Sequence, residues 1–324
     1  MALIPKKNIL MILISLISSS WVVYKLYQFK GWPEFKAFFS QNASNLSWTL
    51  FLITFLMFLN VSIESIKWRL LASPAEKISL KQSFIQVIKG IQWGLITPAR
   101  SGEPLGKALF YKSNKRTGII FLSLLGSFIQ NGVIFIFTII SILLAGSSTE
   151  QLLNFIFERF MAIDKAAITA LFLLIIFGGI VIIWFLRHRQ KTFIDLLHSF
   201  GYFSALQLIQ IIFLTLIRYL LFCFQLLIIL HLFEPSITTS ELFSVFLFYG
   251  VLTFVPSWGS GDLGIRSAIA LLIFGESVIS GPAIIFSTML IWIINIALPA
   301  LIPLFFNKKF NLISTANHVS TSAR

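Results

Sequence analysis

The fold is decided by one short stretch of sequence, Leu95-Ile96-Thr97-Pro98-Ala99-Arg100-Ser101-Gly102-Glu103-Pro104-Leu105-Gly106-Lys107. It holds two prolines, two glycines, one acid and two bases, although strongly hydrophobic sequence flanks it on both sides. Because proline and glycine disfavour the interior of a helix, we expect regular structure to break here.

The same pattern recurs far downstream in a second stretch, Phe254-Val255-Pro256-Ser257-Trp258-Gly259-Ser260-Gly261-Asp262-Leu263-Gly264-Ile265-Arg266. Both copies run from an apolar helix through proline, small residues and a Gly-acid pair to a base four positions after the acid. The acid and base are Glu103 and Lys107 in the first copy, and Asp262 and Arg266 in the second. We interpret the two stretches as an internal repeat.

The composition places the chain in a membrane. Hydrophobic residues make up 57% of it, only 11% are charged, and the mean hydropathy is +0.90. Soluble domains have about 25% charged residues, so the class is an all-α integral membrane protein. The net charge of +13 comes from short basic clusters beside apolar runs. That pattern orients helices in membranes, and we expect no nucleic-acid partner.

Six segments are long enough to cross about 30 Å of hydrocarbon. They are Ile9–Phe29, Leu46–Leu70, Gly118–Leu144, Ala166–Leu186, Ser204–Leu232 and Ala283–Phe306. If each crosses once, most basic clusters fall on one side, which lysine and arginine mark as cytoplasmic. These clusters are Lys6-Lys7, Lys67/Arg69/Lys77/Lys81, Lys112/Lys115/Arg116, Arg187/Arg189/Lys191 and Lys308-Lys309. We therefore predict a multi-pass protein of the cytoplasmic (inner) membrane with both termini in the cytoplasm.

Two apolar segments are too short to cross. Ser83–Ile96 and Glu241–Thr253 would each reach only about 20 Å as helices. Each is followed by its Pro/Gly motif and a further short helix, Leu105–Tyr111 or Leu263–Phe274. We interpret both as re-entrant helical hairpins with the motif at the tip. The alternative is two ordinary helical hairpins in a protein with eight or more full crossings.

The re-entrant interpretation gives a 3+3 inverted repeat. Residues 1–144 form a first repeat with its hairpin at about 83–113, and residues 145–310 form a second with its hairpin at about 241–275. Residues 311–324 are a polar cytoplasmic tail. Because three crossings is an odd number, the second repeat is inverted, and the two tips approach each other near the middle of the membrane, as in many transporters.

Irregular backbone at membrane depth is tolerated where it lines a polar cavity, and charges there are functional candidates. The candidate substrate-binding residues are Arg218, Glu103, Lys107, Arg100, Asp262, Arg266 and Glu64. The functional interpretation is contact with a charged or hydrogen-bonding headgroup. The alternatives are caps and salt bridges at the two tips, a structural ion pair for Arg218, and an interfacial salt bridge for Glu64.

The sequence shows no arrangement that requires catalysis. It contains no Ser-His-Asp order, no Cys/His cluster and no Walker or dinucleotide loop, and Cys223 is its single cysteine. We expect no cofactor, no metal and no enzymatic activity.

Three stretches carry a resemblance to a known family. They are Lys67-Trp68-Arg69-Leu70-Leu71, Thr97-Pro98-Ala99-Arg100-Ser101-Gly102-Glu103 and Pro256-Ser257-Trp258-Gly259-Ser260-Gly261-Asp262-Leu263-Gly264-Ile265-Arg266. From Ile9 to Phe306 the chain resembles the flippase-like transmembrane family typified by the membrane half of lysylphosphatidylglycerol synthase, the multiple peptide resistance factor. The second motif departs from the pattern, since Asp262 and Ser267 stand where a glycine and a Glu-Ala pair are expected.

The resemblance implies a lipid flippase that moves a polar-headgroup lipid, such as a phospholipid or glycolipid, between leaflets. The soluble aminoacyl-transferase domain of the bifunctional synthase has no counterpart here, so we expect no synthesis of aminoacylated lipid. Two alternatives remain open. One is a non-transporting membrane partner of a separate lipid-modifying enzyme. The other is a membrane-embedded transferase or hydrolase on a lipid-linked substrate, with Glu103 or Asp262 as general base. The sequence also leaves a homo-oligomer open.

Overall fold

The computed structural model describes residues 32–97, 100–144, 203–237, 241–255, 261–275 and 279–305, with positions 20, 24, 26 and 27. Regular structure in these residues is helical, and no strand occurs among them. The helices are α1 (Trp32–Gln41), α2 (Ala43–Ala72), α3 (Leu80–Ile96), α4 (Glu103–Ala108), α5 (Ser113–Leu144), α6 (Ala205–Phe233), α7 (Glu241–Phe254), α8 (Gly261–Phe274), α9 (Gly281–Trp292), a π-helical turn (Ile293–Ala297) and α10 (Leu298–Phe305).

Four helical segments of the described chain are long and apolar enough to cross a membrane. They are α2, α5, α6 and the continuous run Gly281–Pro303, with 30, 32, 29 and 23 residues. At about 1.5 Å per residue each exceeds the hydrocarbon thickness of about 30 Å. Large apolar side chains such as Phe55, Phe128 and Phe213 are exposed on these helices, as expected for surfaces that face lipid. The chain is therefore a multi-pass membrane protein.

These four segments correspond to four of the six predicted crossings. The other two, Ile9–Phe29 and Ala166–Leu186, lie outside the described residues apart from isolated positions in the first. The full count of six crossings therefore stays a prediction.

Two helical hairpins occupy the places where breaks were predicted. The first is α3 followed by α4, and the second is α7 followed by α8. With 17 and 14 residues, α3 and α7 reach about 26 Å and 21 Å, which is less than a full crossing. The observed helices begin and end within a few residues of the predicted segments. Their re-entrant insertion into the membrane stays a prediction.

Local sequence sets two of the helix starts through capping boxes. At α3 the Ser79 hydroxyl accepts from the backbone N–H of Gln82, and the Gln82 side chain accepts from the backbone N–H of Ser79. Ser204 and Gln207 do the same at α6. Each Ser-x-x-Gln therefore satisfies two N–H groups that a helix start leaves without partners.

Two glycines allow helices to approach closely. A Cβ on Gly106 of α4 would lie 2.8 Å from the Lys89 carbonyl oxygen and 3.0 Å from the Gly90 Cα, so α4 packs directly on the backbone of α3. A Cβ on Gly250 of α7 would collide with the Thr138 side chain of α5. Both hairpins thus use a glycine where no larger side chain fits.

The helices contact one another in matching pairs. At the centre α2 packs on α6, while α3 of the first hairpin packs on α10 and α7 of the second hairpin packs on α5. Exchanging α2 with α6, α3 with α7, and α5 with α10 converts the first of these hairpin contacts into the second. Two repeated units would produce this correspondence. The division into repeats at residues 1–144 and 145–310 stays a prediction.

A buried hydrogen-bond cluster ties α2 to the first hairpin. Trp68 Nε1 and the Tyr111 hydroxyl both donate to Gln86 Oε1, at 2.7 Å and 3.0 Å. Burial raises the pKa of Tyr111 to about 12, so the phenol keeps its proton and remains a donor. The cluster fixes α3 against the end of α2.

Candidate functional site

A cavity of about 590 Å³ is lined by residues of both hairpins. Arg100 and Ser101 line it from the first tip, and Phe254 and Val255 line it from the end of α7 in the second hairpin. The seven predicted site residues, Arg218, Glu103, Lys107, Arg100, Asp262, Arg266 and Glu64, all line this cavity. Their contact with a substrate remains a prediction.

Glu64 of α2 is the centre of a buried ionic network. Its Oε2 lies 2.8 Å from Arg218 Nη1 and 2.6 Å from Lys67 Nζ, and its Oε1 lies 3.4 Å from Lys107 Nζ. One carboxylate therefore faces three cations from three helices, α2, α4 and α6. Opposite charges at this spacing are what makes buried ions tolerable in a low dielectric.

The salt bridge between Glu64 and Lys67 that the sequence suggested is present, and both side chains are buried in the bundle. The Arg69 side chain, two positions after Lys67, is exposed. The physical reason is helical periodicity, because two positions rotate a side chain by about 200°.

Arg218 joins three helices at the middle of the bundle. It is the fourteenth of 29 residues in α6, so about 20 Å of helix lies on either side. Its Nε donates to Asn60 Oδ1 at 2.9 Å, and its Nη1 donates to Gln130 Oε1 at 2.6 Å and to Glu64. Its guanidinium also lies 5.6 Å from the centroid of the Phe222 ring. Arg218 therefore faces the bundle, as its position in the sequence suggested.

The first tip holds a second, looser group of charges. Lys107 Nζ lies 3.1 Å from Glu103 Oε1, as the four-residue spacing predicts, and Arg100 Nη2 lies 3.3 Å from Glu103 Oε2. Arg100 has a left-handed backbone with φ 55°, which is uncommon for a residue with a side chain. Lys107 Nζ also lies 4.8 Å from the Trp68 ring centroid. At this tip, the two cations Arg100 and Lys107 therefore share one acid of the same hairpin, Glu103.

The described part of the second tip contains a pair of opposite charges, Asp262 and Arg266. Arg266 Nε lies 2.8 Å from Asp262 Oδ2, again at the predicted four-residue spacing. Trp292 Nε1 donates to the same oxygen at 2.8 Å. Trp292 immediately precedes the π-helical turn, so α8 and the last crossing meet at this carboxylate.

The cavity carries more positive than negative charge. Among the described residues, five basic side chains line it against three acidic ones, which is a formal excess of two positive charges. Cations at membrane depth are costly unless they are paired or solvated. The excess therefore favours an anionic group in the cavity.

Several cavity residues were not singled out from the sequence. Asn60, Gln130 and Asn295 each interrupt an apolar crossing, and Trp292 ends the helix before the π-helical turn. A polar side chain inside a crossing was the available signal, since such residues mostly face the bundle interior. Among the described residues, no group of three or more His, Cys, Asp or Glu comes together as metal ligands.

These observations define a polytopic α-helical membrane protein in which two broken helical hairpins line one ionic cavity. The chain belongs to the family described as the lysylphosphatidylglycerol synthase TM region, which it matches over residues 9–303. No match was found among curated proteins. Family membership ties this membrane protein to lipid modification or transport.

Proposed function

We propose that this protein is a lipid flippase that moves a polar-headgroup lipid between the leaflets of the cytoplasmic membrane. The headgroup passes through the cavity, while the acyl chains stay in the bilayer. The observation that carries the proposal is the shared cavity, lined by both hairpin tips and by Arg218 at the midpoint of its crossing. A polar group held at this depth exchanges water for fixed charges and hydrogen bonds.

The chain is further proposed to have six crossings in a 3+3 inverted repeat with both termini in the cytoplasm. The matching contacts of α3 with α10 and of α7 with α5 support the repeat. In this arrangement the hairpins enter from opposite faces, and rocking one repeat against the other exposes the cavity to each leaflet in turn.

The rim of the cavity gives the acyl chains a route. Leu124 of α5 and Phe254 at the end of α7 line the cavity and are 50% and 70% exposed. The cavity therefore reaches the apolar surface of the bundle at these residues. A lipid bound there keeps its tails against that surface while its headgroup contacts the charged interior.

We favour transport over catalysis because the three cavity acids already serve as counter-ions. Glu64 contacts three bases, Glu103 contacts two, and Asp262 contacts one base and an indole N–H. A general base must reach a substrate proton through a free oxygen lone pair. The arrangement is better suited to binding an anion than to removing a proton.

The test is lipid exchange in vesicles that contain the purified protein. Tail-labelled fluorescent phospholipids are reconstituted with the protein, and an impermeant reductant bleaches the outer leaflet. We expect the reductant to bleach more than the half of the fluorescence that the outer leaflet contributes, because the protein brings inner-leaflet lipids to the outside. Arg218→Gln should strongly lower the rate of this additional bleaching. Arg69→Gln is the matched control, because Arg69 lies on the same crossing as Glu64 but is exposed and outside the cavity.

Other outcomes would favour the alternatives. No acceleration for any lipid of a host extract, with folded protein in the vesicles, would refute the flippase. A soluble transferase that co-purifies with an inactive protein would instead favour the membrane-partner alternative. A new lipid product formed in detergent would favour an enzyme.

A further inference from the structure

Three buried polar atoms on residues that line the cavity have no hydrogen-bond partner among the described residues. They are Asn295 Oδ1, Ser123 Oγ and the Tyr219 hydroxyl oxygen, on residues that are 7%, 3% and 4% exposed. The Ser123 and Tyr219 hydroxyls can donate or accept, whereas Asn295 Oδ1 can only accept. Buried polar groups are nearly always paired, and an unpaired one costs free energy. A bound group that pairs with them would remove this cost.

The backbone around Asn295 also marks a special position. Asn295 lies in the π-helical turn Ile293–Ala297, which packs against α2 and α3. Its Nδ2 donates to the Ile291 carbonyl oxygen at 3.3 Å, which leaves Oδ1 as the available acceptor. Single π-helical turns inside α-helices occur frequently at functional sites. Here the turn places an acceptor in the cavity beside Trp292 and the second tip.

The chemistry of these atoms limits what the ligand carries. An amide oxygen only accepts hydrogen bonds, so the ligand must donate to Asn295 Oδ1. Hydroxyl and ammonium groups both donate. An ammonium group would add a cation to a cavity that already has five basic side chains against three acidic ones. Like-charge repulsion therefore favours hydroxyl groups.

The anionic part of the ligand is best placed at the first tip. Lys107 lies 3.1 Å from Glu103 and 3.4 Å from Glu64, and Arg100 lies 3.3 Å from Glu103. These pairs are longer than the 2.6 Å and 2.8 Å contacts that Lys67 and Arg218 make with Glu64. A phosphate therefore competes with weaker internal salt bridges at Lys107 and Arg100 than at Lys67 and Arg218, which contact Glu64 at shorter distances.

Building on the proposed function, we propose that the transported headgroup is a phosphodiester anion with free hydroxyl groups and no amine. Its phosphate contacts Lys107 and Arg100 of the first hairpin. Its hydroxyl groups pair with Asn295 Oδ1 and Ser123 Oγ. The cavity volume of about 590 Å³ lies within the range of about 300–1,000 Å³ for small-molecule sites.

The experiment compares four tail-labelled lipids in the same vesicle assay. Phosphatidylglycerol has the anion and the hydroxyls, and phosphatidylethanol has the anion alone. Phosphatidylethanolamine and lysyl-phosphatidylglycerol both carry amines. We expect phosphatidylglycerol to move on the order of tenfold faster than phosphatidylethanol, and both to move faster than the amine-bearing lipids.

Two variants test the assigned residues. Asn295→Leu and Ser123→Ala are each expected to lower the phosphatidylglycerol rate toward that of phosphatidylethanol, while the phosphatidylethanol rate is retained. Damage to the fold would instead lower both rates together. Asn114→Leu is the matched control, since Asn114 is exposed at the start of α5 and does not line the cavity.

Each remaining outcome has a definite meaning. Equal rates for all four lipids, or faster movement of an amine-bearing lipid, would overturn the headgroup class and leave the flippase standing. Equal rates for phosphatidylglycerol and phosphatidylethanol would overturn the hydroxyl contacts. Uptake of radiolabelled glycerol 3-phosphate without lipid movement would show that the ligand is a soluble phosphate ester and not a lipid headgroup. No movement of any lipid would refute the proposed function itself.

Discussion

Replacing Glu64 by glutamine tests the ionic network most directly. Gln keeps the size of the side chain and one oxygen acceptor but removes the negative charge. Of the three bases that contact Glu64, Lys107 also contacts a second acid, Glu103. Among the described residues, Lys67 and Arg218 form a salt bridge with Glu64 alone, so both would lose their counter-ion.

The magnitude follows from the burial of the group. Removing one partner of a buried ion pair costs about 3–5 kcal/mol, because an uncompensated charge is left behind. Since Gln retains an acceptor for Lys67 and Arg218, we expect the lower part of this range, about 3 kcal/mol. The exposed pair of Glu76 with Lys115, at 2.9 Å and with both side chains at least 40% exposed, provides the comparison. Glu76→Gln should cost about 1 kcal/mol or less.

The assay is unfolding of the purified protein in detergent, followed by the loss of tertiary signal. Glu64→Gln should lower the free energy of unfolding clearly, whereas Glu76→Gln should leave it nearly unchanged. Adding Lys67→Met to Glu64→Gln should recover part of the loss, since one unpaired cation is removed with it. A coupling between the two substitutions of about 0.5–3 kcal/mol is expected.

Equal effects of Glu64→Gln and Glu76→Gln on stability would show that Glu64 is not the shared counter-ion of these cations. Strict additivity of Glu64→Gln with Lys67→Met would show the same.

Three further predictions concern the hairpins. Gly250→Leu should cost about 1–3 kcal/mol of stability, because the new side chain must displace Thr138 between α7 and α5; thermal unfolding measures it, and an unchanged midpoint would contradict the close contact. Trp292→Phe removes the N–H donor to Asp262 and should cost about 1.5–3 kcal/mol in the same measurement. Arg100→Gly relieves a left-handed backbone conformation that costs about 1–2 kcal/mol, and it removes an exposed ion pair that contributes less than this. The unfolding midpoint should therefore stay the same or rise, while the rate of transport of an anionic lipid should fall. A lower midpoint with unchanged transport would show that Arg100 serves the fold alone.

The two ends of the network differ in a way that suits transport. Glu64 is held tightly by Lys67 and Arg218 in the bundle, whereas the tip cations Lys107 and Arg100 are held at longer distances. A transporter must bind its substrate weakly enough to release it. In the proposed transport cycle, cations that already have an internal counter-ion would return to that partner when the anion leaves, so the empty state would not be destabilised by unpaired charge.

The sequence by itself determined the class of the protein and the positions of its breaks. Hydropathy and helix length are local properties. The predicted ends of the crossings α2, α5 and α6 therefore lie within about five residues of the observed ends. Proline and glycine act on the backbone at their own positions, which located the two hairpins. The pairs of Glu103 with Lys107 and Asp262 with Arg266 follow from helix geometry over four residues.

Only the tertiary structure decided which distant groups meet. Arg218 contacts Asn60 and Gln130 across 158 and 88 residues, and Lys107 contacts Glu64 across 43. These contacts depend on how each helix is rotated and on how closely α4 and α7 approach their neighbours at glycines. A local pattern cannot encode that rotation, because it results from the packing of whole helices against one another. For the same reason the sequence could place Lys67 near Glu64 along α2 but could not show that both side chains face the interior of the bundle.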